Sequence, residues 1–281
     1  MHSLSNPLYI SDMTFSTQFL ALAFPEIDPV LLQIGPFAIR WYALAYIAGL
    51  VIGWRLMMRF AAAPGSAVSV KDVDDFLVWA TLGVVLGGRL GYVLFYKPAF
   101  YFANPSEILM VWQGGMSFHG GFLGVVVAAF LFCRKRDIPT LALADMLSLV
   151  APVGLFFGRI ANFINGELFG RTSDVPWAMV FPNGGPLPRH PSQLYEALLE
   201  GALLFAILLW VRRTSLADKP GVLTGLFLVG YAAARGFVEL FRQPDAHLGF
   251  LAGGTTMGQL LSLPMIVIGL YLILRPKNVK A

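Results

Sequence analysis

Long apolar runs organise this chain, each about as long as a bilayer-crossing helix and each closed by charged or Pro/Gly-rich residues. A spanning helix needs about 20 mostly apolar residues. Seven runs meet that need, at 37–58, 73–96, 115–133, 141–164, 191–211, 221–241 and 256–274. The breaks between them are sound helix stops: Pro64-Gly65-Ser66, Lys97-Pro98, Arg134 to Pro139, Pro182 to Pro191, and Lys219-Pro220. The pattern predicts an all-α, polytopic integral membrane protein with seven transmembrane helices in one domain, residues 37–275. Residues 1–36 read as an interfacial N-terminal segment, because Pro25, Asp28, Pro29 and Pro36 break any helix there. Residues 276–281 form a short tail, and neither repeats nor low-complexity stretches interrupt the pattern.

Composition agrees. Only 13% of the residues are charged and 57% are hydrophobic, whereas a soluble domain carries about 25% charged residues. The distribution of Lys and Arg sets the orientation. With the N-terminus outside, the inner loops hold twelve of the twenty basic residues: Arg55, Arg59, Lys71, Arg134, Lys135, Arg136, Arg212, Arg213, Lys219, Arg275, Lys277 and Lys280. The outer segments hold five, Arg40, Lys97, Arg171, Arg189 and Arg242, and the spans hold Arg89, Arg159 and Arg235. The N-terminus is therefore placed outside and the C-terminus in the cytoplasm. The net charge of +4 is a topology signal, not a nucleic-acid footprint. No Lys or Arg precedes Arg40, so residues 1–36 lack the basic start of a secretory signal peptide. The single cysteine, Cys133, excludes an intrachain disulfide and reads as packing.

Several polar groups then stand out against the apolar background. The stretch GRIANFINGELFG, 158–170, places Arg159, Asn162, Asn165 and Glu167 at the end of the fourth run. Insertion scales put Arg at mid-bilayer at roughly +2.5 to +3.5 kcal/mol, and such a group is by default a functional site for something anionic. Arg159 and Asn162 are three apart and share a helix face. Asn165-Gly166 ends the helix, and Glu167 is placed to pair with Arg159; a mere capped helix end is the alternative. In the sixth run Tyr231, Arg235, Glu239 and Arg242 are spaced +4, +4 and +3, one stripe of a helix. An Arg–Glu pair that neutralises itself explains part of this stripe. The second arginine is left to meet a phosphate or another carboxylate.

Other positions carry two readings each. His119, in MSFHGGFLG at 116–124, is either a packing residue among glycines or a proton acceptor near neutral pH. RHPSQLYEA, 189–197, opens the fifth run with His190 and Pro191, and Glu196 is either part of a helix start or part of a site. Arg40-Trp41-Tyr42 opens the first run as an aromatic anchor. Gly83, Gly87 and Gly91 make a packing ridge, and Arg89 within it pairs with Asp145 or with a carbonyl. By this topology Arg40, His119, Arg159, Glu167, His190, Arg235, Glu239 and Arg242 all lie near the outer ends of their spans. The chain lacks a phosphate loop, a metal-ligand spacing and a Gly-x-Ser-x-Gly elbow, so covalent catalysis is not expected and neither a metal nor a cofactor is called for.

The chain resembles the prolipoprotein diacylglyceryl transferases. The likeness runs from Phe24 onward through FPEIDPV (24–30), RWYAL (40–44), LGGRLGYVLFY (86–96), GGMSFHGG (114–121), GRIANFINGELFG (158–170), RHPSQLYEALLEG (189–201) and RGFVELFRQPDAHLG (235–249). The first 20 or so residues exceed what the family needs, and the loop 171–190 is short for it. The resemblance implies seven transmembrane helices with the N-terminus periplasmic, in the bacterial inner membrane, and an active site near the periplasmic face. It implies transfer of the diacylglyceryl group of phosphatidylglycerol to the lipobox cysteine of preprolipoproteins, forming a thioether and releasing glycerol 1-phosphate. Phosphatidylglycerol, the signal peptides of preprolipoproteins and membrane lipids are then the partners, and nucleic acid is not. By resemblance Arg159 and Arg235 are the essential cations, Arg159 foremost for the lipid headgroup; His119 is the favoured proton acceptor, and the alternative is that the arginines lower the thiol pKa and make a dedicated base unnecessary. Tyr42, Asn162, Glu167, Gly170, Tyr231, Glu239 and Arg242 fit binding and support positions, with Glu239 orienting Arg235. A transporter or a non-catalytic lipid-binding protein is the competing reading from composition alone; the paired halves and broken helices of transporters are not seen.

Overall fold

The computed structural model describes residues 22–25, 27–244, 249 and 251–275. Most of the N-terminal segment 1–36, and all of the tail 276–281, fall outside the described residues. So do Glu26 and residues 245–248 of two of the quoted blocks. Where it is described, the N-terminal segment is extended: β1 (Leu22–Ala23) pairs with β4 (Met179–Val180), and β2 (Val30–Ile34) forms an antiparallel hairpin with β3 (Phe37–Arg40). Gly35 at φ +56 makes that turn. The first span therefore starts at α1 (Trp41–Ala61), four residues later than the apolar run, because Phe37 to Arg40 are spent on a strand.

The other helices are α2 (Val70–Phe95), α3 (Pro98–Ala103), α4 (Phe118–Arg136), α5 (Thr140–Ile164), α6 (Ser192–Glu196), α7 (Leu204–Val211), α8 (Val222–Val238) and α9 (Met257–Leu274). A π-helical stretch, Ala197–Leu203, joins α6 to α7 into one rod, Ser192–Val211. Among the described residues six helices are long and apolar enough to cross a membrane: α1, α2, α4, α5, the α6–α7 rod and α9. Helix α8 is apolar but shorter, 17 residues, because the chain turns at Glu239 where 221–241 had been expected to continue. Helix α4 begins at Phe118, after Gly114 and Gly115 at positive φ, later than the expected 115.

Caps mark the ends. Ser69 and Asp72 form a reciprocal capping box on α2, and Thr256 and Gln259 form one on α9. Close packing follows the glycine ridge. A methyl at Gly83 would lie 2.7 Å from the Gly124 carbonyl oxygen, and one at Gly91 would lie 2.8 Å from the Gly120 Cα. Helices α2 and α4 thus meet backbone to backbone, as small residues permit in lipid. Arg89 satisfies itself on carbonyls, including Ile108 at 2.9 Å from Nε and Met110 at 3.2 Å from Nη2. Its alternative partner Asp145 sits elsewhere. Asp145 accepts from the Gly221 and Thr224 amides (2.6 and 2.7 Å) and from the Thr224 hydroxyl (2.7 Å), capping α8 from α5. Helix α5 lies against α1, α4, the α6–α7 rod and α8. Asp145 fixes one end of α5 against α8, and at the other end α5 presents Arg159 to the α6–α7 rod.

Candidate active site

Arg159 projects from the last turns of α5 and meets α6. Its Nε lies 2.9 Å from Glu196 Oε2, and its Nη2 lies 3.5 Å from Glu200 Oε2. Arg235, near the end of α8, reaches the same carboxylates. Its Nη1 is 2.8 Å from Glu196 Oε1 and 3.8 Å from Glu200 Oε1. Its Nη2 is 2.7 Å from Glu239 Oε1, one helical turn on. Arg242 closes the cluster, with Nη1 3.3 Å from Glu239 Oε1 and Nε 3.6 Å from Glu196 Oε1. Three guanidiniums and three carboxylates thus interlock across α5, the α6–π rod and α8. The carboxylates are fully buried, while the side chains of Arg159 and Arg235 keep 17% and 12% exposure. Arg159 and Arg235 are the members of the cluster left partly open to an incoming group, while Arg242 is buried.

The local backbone explains the convergence. Glu196 ends α6 and Glu200 lies in the π stretch, so the wider turn keeps both on the side facing Arg159 and Arg235. Single π turns recur at functional sites. Gly201, next in line, allows the rod to press on Phe156 of α5, where a methyl would sit 2.7 Å from the Phe156 Cβ. Gly258 at the start of α9 plays the same part on the far side, since a methyl there would meet Glu239 Oε1 at 2.6 Å.

The expected pairing of Arg159 with Glu167 is not what forms. Glu167 Oε1 accepts instead from the side-chain amides of Asn162 (2.8 Å) and Asn165 (3.5 Å), because the helix ends at Asn165 and Gly166 (φ +63) turns the chain back over its own last turn. Arg159 finds its carboxylates on α6 instead. The second arginine of the α8 stripe meets the carboxylates Glu239 and Glu196 within the protein. Glu200 was singled out nowhere in the sequence; its signal was the i, i+4 spacing from Glu196 in an otherwise apolar run.

The loop after α5 is tied to the end of α8. The Gly170 amide donates to the His190 carbonyl (2.8 Å), and Arg171 donates from Nε to the Arg242 carbonyl (2.9 Å) and from Nη2 to the Glu239 carbonyl (3.0 Å). A methyl at Gly170 would lie 2.6 Å from the Phe241 carbonyl oxygen, so only glycine fits. Gln193 and Ser192 donate to the carbonyls of Glu167 and Leu168, at 2.5 and 3.1 Å. Outside the spans, His190 Nδ1 and the Tyr195 hydroxyl share a hydrogen bond of 3.0 Å, and that hydroxyl accepts from Trp177 Nε1 (2.6 Å). Burial pushes the His190 imidazole below its ordinary range.

The tyrosines lie around this core. Tyr46, hydrogen-bonded to Tyr42 between hydroxyls 3.4 Å apart, is within electrostatic reach of Arg159 and Glu167. Tyr231 is within reach of Glu200, Arg235 and Arg159. His119 stands apart. It is exposed at the start of α4, its ring 5.6 Å from that of Phe118, and among the described residues no hydrogen bond or ion pair joins it to the arginine cluster. Arg40 is likewise exposed, on β3.

The arrangement is a preorganised set of cations on a buried carboxylate scaffold, suited to hold a phosphate and to stabilise charge that develops on it. The family model for prolipoprotein diacylglyceryl transferases matches residues 29–275. A protein of Paramagnetospirillum magneticum named phosphatidylglycerol–prolipoprotein diacylglyceryl transferase is 65% identical over 256 residues, 90% of this chain and 95% of the relative. Proteins of the same name from Rhodospirillum rubrum and Methylocella silvestris are 62% and 60% identical, over 92% and 90% of this chain and 96% and 94% of their own lengths. The chain belongs to the prolipoprotein diacylglyceryl transferase family.

Proposed function

We propose that this protein transfers the diacylglyceryl group of phosphatidylglycerol to the cysteine thiol of a preprolipoprotein signal peptide; the names of its relatives, phosphatidylglycerol–prolipoprotein diacylglyceryl transferase, support the lipid donor, the prolipoprotein acceptor and the transfer. The observation that carries the reading is the pair of partly open guanidiniums, Arg159 and Arg235, sharing Glu196 across three helices. In the reaction the thiolate attacks an sp3 carbon of the lipid glycerol. A carbon–sulfur bond forms, the carbon–oxygen bond to phosphate breaks, and glycerol 1-phosphate leaves with the electron pair. A free thiol has a pKa of about 8.5, so its proton must be taken up. By the family resemblance His119, at the exposed start of α4, is the side chain assigned to that step. Arg159 and Arg235 stabilise the phosphate charge as it grows, and more strongly at low local dielectric. Glu239, at 2.7 Å, holds Arg235 in orientation. Asn162, Glu167, Gly170, Tyr42, Tyr231 and Arg242 shape and support the site.

Helix α8 serves as the seventh span in this reading. Its 17 residues reach about 26 Å at 1.5 Å per residue, and the turn through Arg242 completes the crossing. The N-terminus is periplasmic, the C-terminus cytoplasmic, and the arginine cluster lies near the periplasmic face of the inner membrane. Support for this comes from the charge distribution and from the cluster lying opposite the Lys219–Arg275 end of the bundle, where Lys219 and Arg275 bind backbone carbonyls.

The test is a reconstituted assay with phosphatidylglycerol vesicles and a lipobox peptide, read by mass for the thioether. Arg159→Ala and Arg235→Ala are each expected to abolish product. Full activity in either removes the mechanism. A pH–rate profile unchanged in His119→Gln removes His119 as the proton acceptor.

A further inference from the structure

Among the described residues the six side chains that these ion pairs join are charge-balanced before any lipid enters, Arg159, Arg235 and Arg242 against Glu196, Glu200 and Glu239, while the neighbouring Arg171 is turned to the Arg242 and Glu239 carbonyls. A monoanionic headgroup would leave it one negative charge in excess, in a place where water screens little. The balance is restored if one carboxylate holds a proton while the lipid is bound. The three carboxylates are not equivalent. Glu196 and Glu239 lie within 2.7 to 2.9 Å of guanidinium nitrogens, and protonating either would weaken charge-assisted bonds that orient Arg159 and Arg235. Glu200 lies no closer than 3.5 Å to Arg159 and 3.8 Å to Arg235. Both of its oxygens are buried with no hydrogen-bond donor among the described residues. Its charge is the one that can be removed without breaking a short bond.

We propose that Glu200 is the proton-holding residue of the headgroup site: protonated, it gives the cluster the net positive charge that an anionic phospholipid requires. This rests on the functional reading above and adds a residue that acts through Arg159 and Arg235. The groups facing Glu200 are Arg159 from α5, Arg235 and Tyr231 from α8, and Glu196 from its own rod; α7 contributes no titratable side chain. The sign follows from linkage. The protonated form binds the anion better, so affinity falls as pH rises through the titration of Glu200, by at most tenfold per pH unit for a single proton.

The experiment measures binding of phosphatidylglycerol in mixed micelles to the full-length protein between pH 5 and 9. Wild type is expected to lose affinity as pH rises, and to take up protons on binding at the alkaline end, counted by calorimetry in two buffers of different ionisation heat. Glu200→Gln mimics the protonated form. It is expected to bind at pH 9 as tightly as wild type does at pH 5, with a flat profile and no linked proton. His119→Gln is expected to keep the wild-type linkage. A Glu200→Gln profile that still falls with pH overturns the inference, as does wild-type binding without proton uptake at any pH. The latter holds even if the variant fails to fold. Wild type that binds phosphatidylglycerol at no pH overturns the functional reading itself.

Discussion

Replacing Glu196 by alanine tests how the site is held together. Glu196 is fully buried and faces Arg159 at 2.9 Å, Arg235 at 2.8 Å and Arg242 at 3.6 Å. Its removal leaves Arg159 with Glu200 at 3.5 Å, while Arg235 keeps Glu239 at 2.7 Å. Taking one partner from a buried ion pair costs about 3–5 kcal/mol, because a charge is left without compensation. Arg159 and Arg235 are too little exposed for water to restore it. For a chain of this size each kcal/mol moves the melting temperature by about 2–4 °C, so a fall of roughly 6–20 °C is expected. Glu196→Gln keeps the shape and an acceptor oxygen and is expected to fall by less. Tryptophan fluorescence during heating in detergent micelles reads both. If Glu196→Ala melts within about 2 °C of wild type, a shift worth less than 1 kcal/mol, the buried carboxylates are not what holds the arginines.

Three further outcomes follow from other parts of the fold. Gly83→Ala is expected to destabilise by about 1–3 kcal/mol, read as a lowered melting temperature, because its methyl meets only backbone atoms of Gly124 and Val125 at 2.7 to 3.0 Å. Asp145→Ala strips Gly221 and Thr224 of their buried acceptor and is expected to cost about 1–3 kcal/mol, with faster amide exchange at the start of α8. For His190, burial favours the neutral ring, so the unfolded loop binds more protons than the folded one. Stability of the 168–190 loop is therefore present above the ordinary imidazole value of 6.5 and lost as pH falls below it. His190→Gln is expected to flatten that dependence in limited proteolysis between pH 7 and pH 5.

The spans were legible in the sequence because an apolar run of bilayer length has few alternatives, and their ends were legible wherever Pro, Gly or charge stopped them. What the runs concealed was local. Phe37 to Arg40 read as part of a helix and form a strand, since an apolar stretch of four residues fits either. Glu200 was passed over despite its i, i+4 spacing from Glu196, and Glu196 stayed ambiguous, although both define the cluster. Arg159 and Arg235 were recognised because a cation inside an apolar run demands a partner. Glu239 was rightly read as the partner of Arg235, whereas the partner of Arg159 was misassigned because sequence proximity favoured Glu167, while the fold brings α6 across. Arg89 was one of two readings, and the carbonyl reading is the one observed.

A structure of the protein with phosphatidylglycerol bound tests the central claim most directly. The account predicts headgroup phosphate oxygens at about 2.7–2.9 Å from guanidinium nitrogens of both Arg159 and Arg235, the usual range for charge-assisted bonds. A headgroup resting elsewhere, with Arg159 and Arg235 still occupied only by Glu196, Glu200 and Glu239, would contradict it.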